Sequence, residues 1–370
     1  MVAAGAFFAG WTLLGAHGLK PEYRLTTTTL FDLVKLSFGV VAGSGALVAL
    51  VVAYRRQRVD EDGALREATR LHTERFTTAV SQLGDDSPAV RLGGVHALAG
   101  LADDAPTQDL RQTCIDVLCA YLRLPSPPDP GNLPDPLPDG TSPSEQRRAA
   151  HQEKEDRYRG MREVRHTILR LIGDHYRIPE GAHRSWQGCN LDLTGVTIDG
   201  VMDFHGVVFS KGSVSFEGAT FSGRVVYFLG AWFSGGEVSF RNATFDSDMV
   251  AFTGAGFSGG VVAFDDARFD GGTVSFSHAG FSDGTVSFHR ATFSDGEVDF
   301  NRARFDGGMV YFSSARFDGG AVSFDRAAFS GGEVSFDRVT GPVPNGLLGA
   351  ISATSADGTV TLPSSWQSNP

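Results

Sequence analysis

Every Phe between Phe204 and Phe336 falls on one lattice, with steps of five and seven residues in alternation, and this stretch holds 23 of the chain's 28 Phe. The pattern repeats every twelve residues, eleven times, as F-x-x-A-x-F-[SD]-x-G-x-V-x. The position two before each second Phe is Ala in ten units (Ala219 to Ala327), with Val207 as the exception. The position two before each first Phe is Val in eleven cases (Val214 to Val334), after Met202. A period this strict predicts a stacked architecture. In extended backbone, residues i and i+2 point to one side. Ala315 with Phe317, and Val322 with Phe324, therefore face inward, while Arg316 and Ser323 face out. Gly with Asp or Ser supplies the corners. One unit cannot bury its own Phe pair, so burial requires stacking. The rival is an antiparallel meander, because Asp306-Gly307-Gly308 between apolar runs is also a hairpin signal.

Upstream the pattern changes. Val2 to Leu19 and Leu36 to Tyr54 are apolar runs free of Asp, Glu, Lys and Arg. Each is near the ~20 residues a helix needs to cross a bilayer, and they predict a two-span transmembrane hairpin over 1–56. Gly43, Ser44, Gly45 and Ala46 suit close helix packing. Arg55, Arg56 and Arg58 follow the second run, which places the remainder in the cytoplasm and offers contacts to anionic headgroups. The expected location is the cell membrane, multi-pass, with a cytoplasmic C-terminal region. Apolar spacings then predict a helical segment over 57–124: one helix over 61–83 ended by Gly84, a second opened by Ser87-Pro88, and a third over about 108–124. Residues 125–144 contain eight prolines and read as a linker. A charged helix over 145–178 follows, apolar in its last turns at Val164, Ile168, Leu169, Leu171 and Ile172. The solenoid occupies 186–340. A cap and tail occupy 341–370, where Gly358 to Leu362 can supply a closing strand.

The five-residue units A-x-F-[SD]-G and V-x-F-x-x, with the opening run Cys189-Asn190-Leu191-Asp192-Leu193-Thr194-Gly195, resemble pentapeptide repeats. The resemblance implies a right-handed, four-sided β-helix with about four units per coil. Here two-residue insertions separate the units, so the expected coil has about 24 residues with four Phe inside. Residues 204–335 then make about five and a half coils, a rod roughly 26 Å long at ~4.8 Å per layer. With the apolar hairpin, VRLGGVHALAGLADD (90–104) and CIDVLCAYLRLP (114–125), the whole layout is similar to actinobacterial membrane-anchored pentapeptide-repeat proteins. That family implies no established activity. The fold class expected is α + β-solenoid.

Composition narrows the function. Net charge is −11, which disfavours a nucleic-acid binder. Three cysteines, Cys114, Cys119 and Cys189, form no disulfide or metal framework and suit a reducing compartment. His205, His278 and His289 have no slot common to all three, and His151, His166 and His175 are spaced unsuitably for one metal. No nucleophile elbow or phosphate loop appears. The expectation is a non-catalytic, membrane-tethered scaffold or protein-interaction module with no cofactor, no metal and an unidentified protein partner. Tyr227, Trp232 and Tyr311 are the candidate partner contacts; Arg55, Arg56 and Arg58 are the candidate lipid contacts. Two alternatives stand beside it. One is a DNA-mimic that binds gyrase, as soluble pentapeptide proteins do, although Arg241, Arg268, Arg290, Arg302, Arg304, Arg316 and Arg326 interrupt an acidic face. The other is a sensor or adaptor acting through the helical segment.

Overall fold

A computed structural model describes Thr12 and residues 26–132, 145–223, 225–353 and 359–367. By contact it divides into two units, Met1–Glu67 and Ala68–Pro370. Helix α1 (Thr27–Leu83) contains the second apolar run and continues through the charged residues after it. The expected two-span hairpin is corrected accordingly: among the described residues one helix is long and apolar enough to cross a membrane, and the first run, 2–19, lies outside them. The second run instead opens one long helix, because no breaker separates it from the charged residues that follow. No Pro lies between 27 and 83, and Gly39, Gly43, Gly45 and Gly63 each cost a helix only about 1 kcal/mol. The multi-pass reading falls with the hairpin.

Helices α2 (Pro88–Asp103), α3 (Gln108–Arg123) and α4 (Glu145–Tyr176) follow. Ser87 is the N-cap of α2, with Pro88 in its first turn. The core of this platform is Val95, Leu98, Ile115, Leu118, Val164, Ile168 and Ile172, all buried. In the last part of α1, Leu65 and Leu71 are exposed while His72, Ala79 and Leu83 are buried.

From Leu191 the chain winds into a β-solenoid of about seven turns. Every strand pairing is parallel, which removes the meander. Partners are 24 residues apart along most of the stack (Val250 with Val226 and Val274) and 23 apart in the first coil (Leu191 with Val214). The stack exceeds the expected five and a half coils because Leu191–Asp192, Thr197–Ile198 and the closing strand Thr359–Thr361 add layers at its ends.

Each coil has four sides and each side carries one Phe ladder. Side one runs Phe216 to Phe336, side two Phe221 to Phe317, side three Phe204 to Phe324 and side four Phe209 to Phe329. Along a ladder the rings stack nearly parallel at the spacing of the strands, as in Phe257 on Phe281 (4.8 Å, 3°). Across the coil, sides one and three meet edge to face, as in Phe240 against Phe252 (5.8 Å, 88°), a favoured aromatic geometry. One aromatic from outside the repeat closes each end of the stack. Tyr176 of α4 packs on Phe204 and Phe209, and Trp366 of the tail packs on Phe317 and Phe336. Their polar atoms reach carbonyls: Tyr176 Oη donates to Cys189 O (2.7 Å) and Trp366 Nε1 to Gly341 O (3.0 Å).

The corners are less uniform than the sequence suggests. Sides four and one join through continuous eight-residue strands such as Gly256–Ala263, whereas sides two and three are separate short strands. At Gly260 φ is +67°, and an added Cβ would lie 2.5 Å from Gly236 O in the coil below, so only Gly fits. The slot before each Ala is also left-handed. From coil to coil it is filled by Asn242, Asp266, His278, Arg290, Arg302, Ser314, Arg326 and Arg338, with φ of 53–60°.

Candidate interaction surface

The platform sits on the first coil through polar contacts that the repeat lacks. Asp103, at the end of α2, is buried; its Oδ1 accepts from Trp186 Nε1 (3.1 Å) and its Oδ2 from Arg184 Nε (2.9 Å). His175 Nε2 lies 3.3 Å from the same Oδ2, its Nδ1 is 2.6 Å from Leu171 O, and its ring stacks on Trp186 at 4.3 Å. Burial acts to raise the Asp103 pKa, but the hydrogen bonds from His175, Arg184 and Trp186 outweigh it and hold the carboxyl below its usual range. Asp199 behaves alike. Burial opposes ionisation, yet His166 (3.1 Å) and Arg162 (3.0 Å) bring its pKa down to about 2. Buried Arg165 donates to Leu122 O (2.6 Å) and Thr197 O (3.2 Å), tying α3 to the solenoid. Arg123 with Asp192 and Arg177 with Asp203 complete the seam.

Two of the candidate histidines, His166 and His175, therefore face carboxylates within this seam. Among the described residues no group of three or more His, Cys, Asp or Glu is placed to hold a metal. The cysteines are free and buried, and burial pushes Cys114 up to about 11 and Cys119 to about 12, far from a reactive thiolate. A cleft of about 1040 Å³ beside α4 is lined by opposed charges, Asp86 and Asp156 against Arg91 and Arg157, with Ser126 and Met161 between them.

The solenoid surface is two-faced. On sides three and four the outward slots of one coil are Val225, Tyr227, Leu229, Gly230 and Trp232. The next coil presents Met249, Ala251, Thr253, Gly254 and Gly256, although Ala251 is covered by its neighbours. The third presents Thr273, Ser275, Ser277, His278 and Gly280. Three successive rows thus contain no Asp, Glu, Lys or Arg. The band ends abruptly at the following row, with Glu297, Asp299, Arg302 and Arg304. On sides one and two every row from Ser213 to Arg316 carries at least one charge, as at Glu217, Glu237, Asp265, Arg290 and Arg316. Residues 204–336 carry net −6.

Tyr227 and Trp232 fall together in this band, on either side of the Leu229-Gly230 turn. Trp232 is 53% exposed, and a Cβ on Gly256 would meet its ring at 2.8 Å, so the indole lies over the glycine of the next coil. Val201 is 57% exposed, but its row also carries Asp203, in register with Tyr227 and paired with Arg177, so the uncharged band stops at this row on the platform side. Tyr311 is elsewhere, on side one, where its hydroxyl meets Met309 Sδ (2.9 Å). Arg55, Arg56 and Arg58 are exposed on α1 directly after its apolar run. Leu229, Val201 and Met249 were not marked as candidates by the sequence reading, yet their outward slots follow from the lattice.

Residues 204–256 match the family model for pentapeptide repeats (9 copies). The chain carries a pentapeptide-repeat β-solenoid. No curated protein and no solved structure matches the chain. The match covers repeats alone and brings neither membrane attachment nor a taxon to the pentapeptide-repeat assignment.

Proposed function

We propose that this protein is a non-catalytic scaffold, tethered to a membrane by one apolar helix, which presents a rigid pentapeptide-repeat solenoid. The observation that carries the reading is the two-faced surface. The uncharged band on sides three and four is a docking side, set apart from the charged sides one and two. Charge depletion with aromatic and Met enrichment is the composition of an interface core. Arg55, Arg56 and Arg58 after the apolar run favour a cytoplasmic solenoid. The polar seam supports the reading, because buried charge networks fix geometry.

Proximity labelling from the full chain tests the proposal. A reproducible set of neighbouring proteins is expected, and Trp232→Glu is expected to change that set by unseating the docking side. Labelling indistinguishable from that of a freely diffusing control would overturn it.

A further inference from the structure

We infer that the docking side meets the lipid bilayer itself: the ridge around Leu229 lies in the headgroup region with Tyr227 and Trp232 as its anchors. The inference rests on the tethered-scaffold reading and names what the band touches. Three observations choose lipid over a second copy or another protein.

The first is area. Three layers at ~4.8 Å and two sides of five extended residues give a band of roughly 450 Å². A stable protein interface buries about 800 Å² on each partner. A tethered domain needs far less, because the anchor keeps it at high effective concentration beside the membrane. Helix α1 has the length and composition of such an anchor.

Shape is the second. The band bends over a corner, with Tyr227 on one side of the turn and Trp232 on the other. A flat protein surface reaches one side at a time, while a lipid interface deforms around both. The backbone here is fully engaged in the ladders above and below, as at Gly230 N to Thr253 O (3.0 Å) and Trp232 N to Val207 O (2.8 Å). No strand can be added, so contact is made by side chains alone.

Chemistry is the third. Trp and Tyr are the side chains that settle at a membrane interface, with the ring among acyl chains and the polar edge in the headgroups. The band carries no net charge, so its approach to a leaflet does not depend on anionic headgroups. Arg302 and Arg326 are exposed one and two rows beyond the band; Arg302 reaches back to His278 of the band's third row (Nη1 to Nε2 3.4 Å), and Asp299 and Asp325 stand beside the two arginines. The edge as a whole is therefore close to neutral. Binding by the hydrophobic and aromatic terms, not by headgroup charge, is the consequence.

The test uses the full chain reconstituted into lipid nanodiscs of phosphatidylcholine, with and without phosphatidylglycerol, and with brominated acyl chains as quencher. The Trp232 signal is the difference between the unmodified chain and Trp232→Phe, since the other three Trp are common to both: Trp11 in the first apolar run, and the buried Trp186 and Trp366. The expected result is that at least half of the Trp232 emission is quenched and that its spectrum moves to the blue. Both effects should be unchanged by phosphatidylglycerol or by raised salt. Leu229→Glu, which places a charge on an exposed turn, should abolish them; Thr244→Glu on side two should not.

If the chain does not remain with the discs, the tether fails and the inference falls with it. If the chain remains and Trp232 is unquenched, the inference alone is overturned. Quenching that needs phosphatidylglycerol and vanishes with salt would also overturn it, as would a photo-cross-linker at position 229 that captures protein instead of lipid in native membranes.

Discussion

The platform and the solenoid solve the problem of burial in opposite ways. In the solenoid the core is one shape repeated: Phe on Phe with Ala and Val between, every ring in its slot and hardly a polar side chain inside. In the platform the core is aperiodic, and Asp103, Arg165 and His175 are buried within it, each satisfied by a partner distant in the sequence. A repeated apolar core tolerates exchange between coils but specifies nothing about what stands at its end. A buried charged cluster adds little net stability, yet it is costly to break and admits one arrangement. The two kinds of core therefore divide the work of stacking and of orientation.

The comparison can be broken first where the stack is deepest. Phe264 lies between Phe240 and Phe288 in the side-one ladder. Phe264→Ala is expected to destabilise the chain by about 4 kcal/mol, read by urea unfolding. Equal stability of the variant would mean that the coils do not act as a cooperative stack. Next comes the seam. Asp103→Ala leaves His175 and Arg184 without their carboxylate and should cost about 3 kcal/mol. It should also raise amide exchange in α2 and α4 while sparing coils 250–330, and protection lost across the whole solenoid would deny the division of work.

Acid should separate the regions as well. Asp103 and Asp199 have native pKa values below their ordinary 3.8, with Asp199 at about 2. For carboxyls so depressed, the stabilisation is complete above pH ~4 and is lost as pH falls toward ~2, amounting to about 2 kcal/mol for Asp199. Circular dichroism should show the seam failing in that window, and Asp199→Asn should flatten the response.

Smaller effects sharpen the picture within the solenoid. Ser247 Oγ is buried with no hydrogen-bond partner, at a slot filled by Gly223 and Gly271 in the adjacent coils. Ser247→Ala removes the unsatisfied hydroxyl and should stabilise by about 1 kcal/mol. Ser314, left-handed at φ 60°, should gain about 0.5–1 kcal/mol when changed to Gly, visible as a modest rise in Tm.

The sequence by itself determined the repeat and its inward face. A strict period of alternating five and seven forces Ala, Val and Phe to one side of extended backbone, while the parallel pairing of the coils decided for the stack over the antiparallel meander. The sequence also determined the 24-residue coil and the outward slots, and hence that Tyr227 and Trp232 flank one turn while Tyr311 does not join them. Tertiary structure decided the rest, because those features depend on residues the period does not link. Tyr176 and Trp366 look like ordinary aromatics in the chain, and only folding brings them to the ends of the Phe ladders. Asp103, His175 and Arg184 are separated by up to 81 residues and meet because α4 must lie across the first coil. Near-identical seven-residue steps become a continuous strand at one corner, as over Gly256–Ala263, and a break at the opposite one, between Thr244–Phe245 and Met249–Ala251.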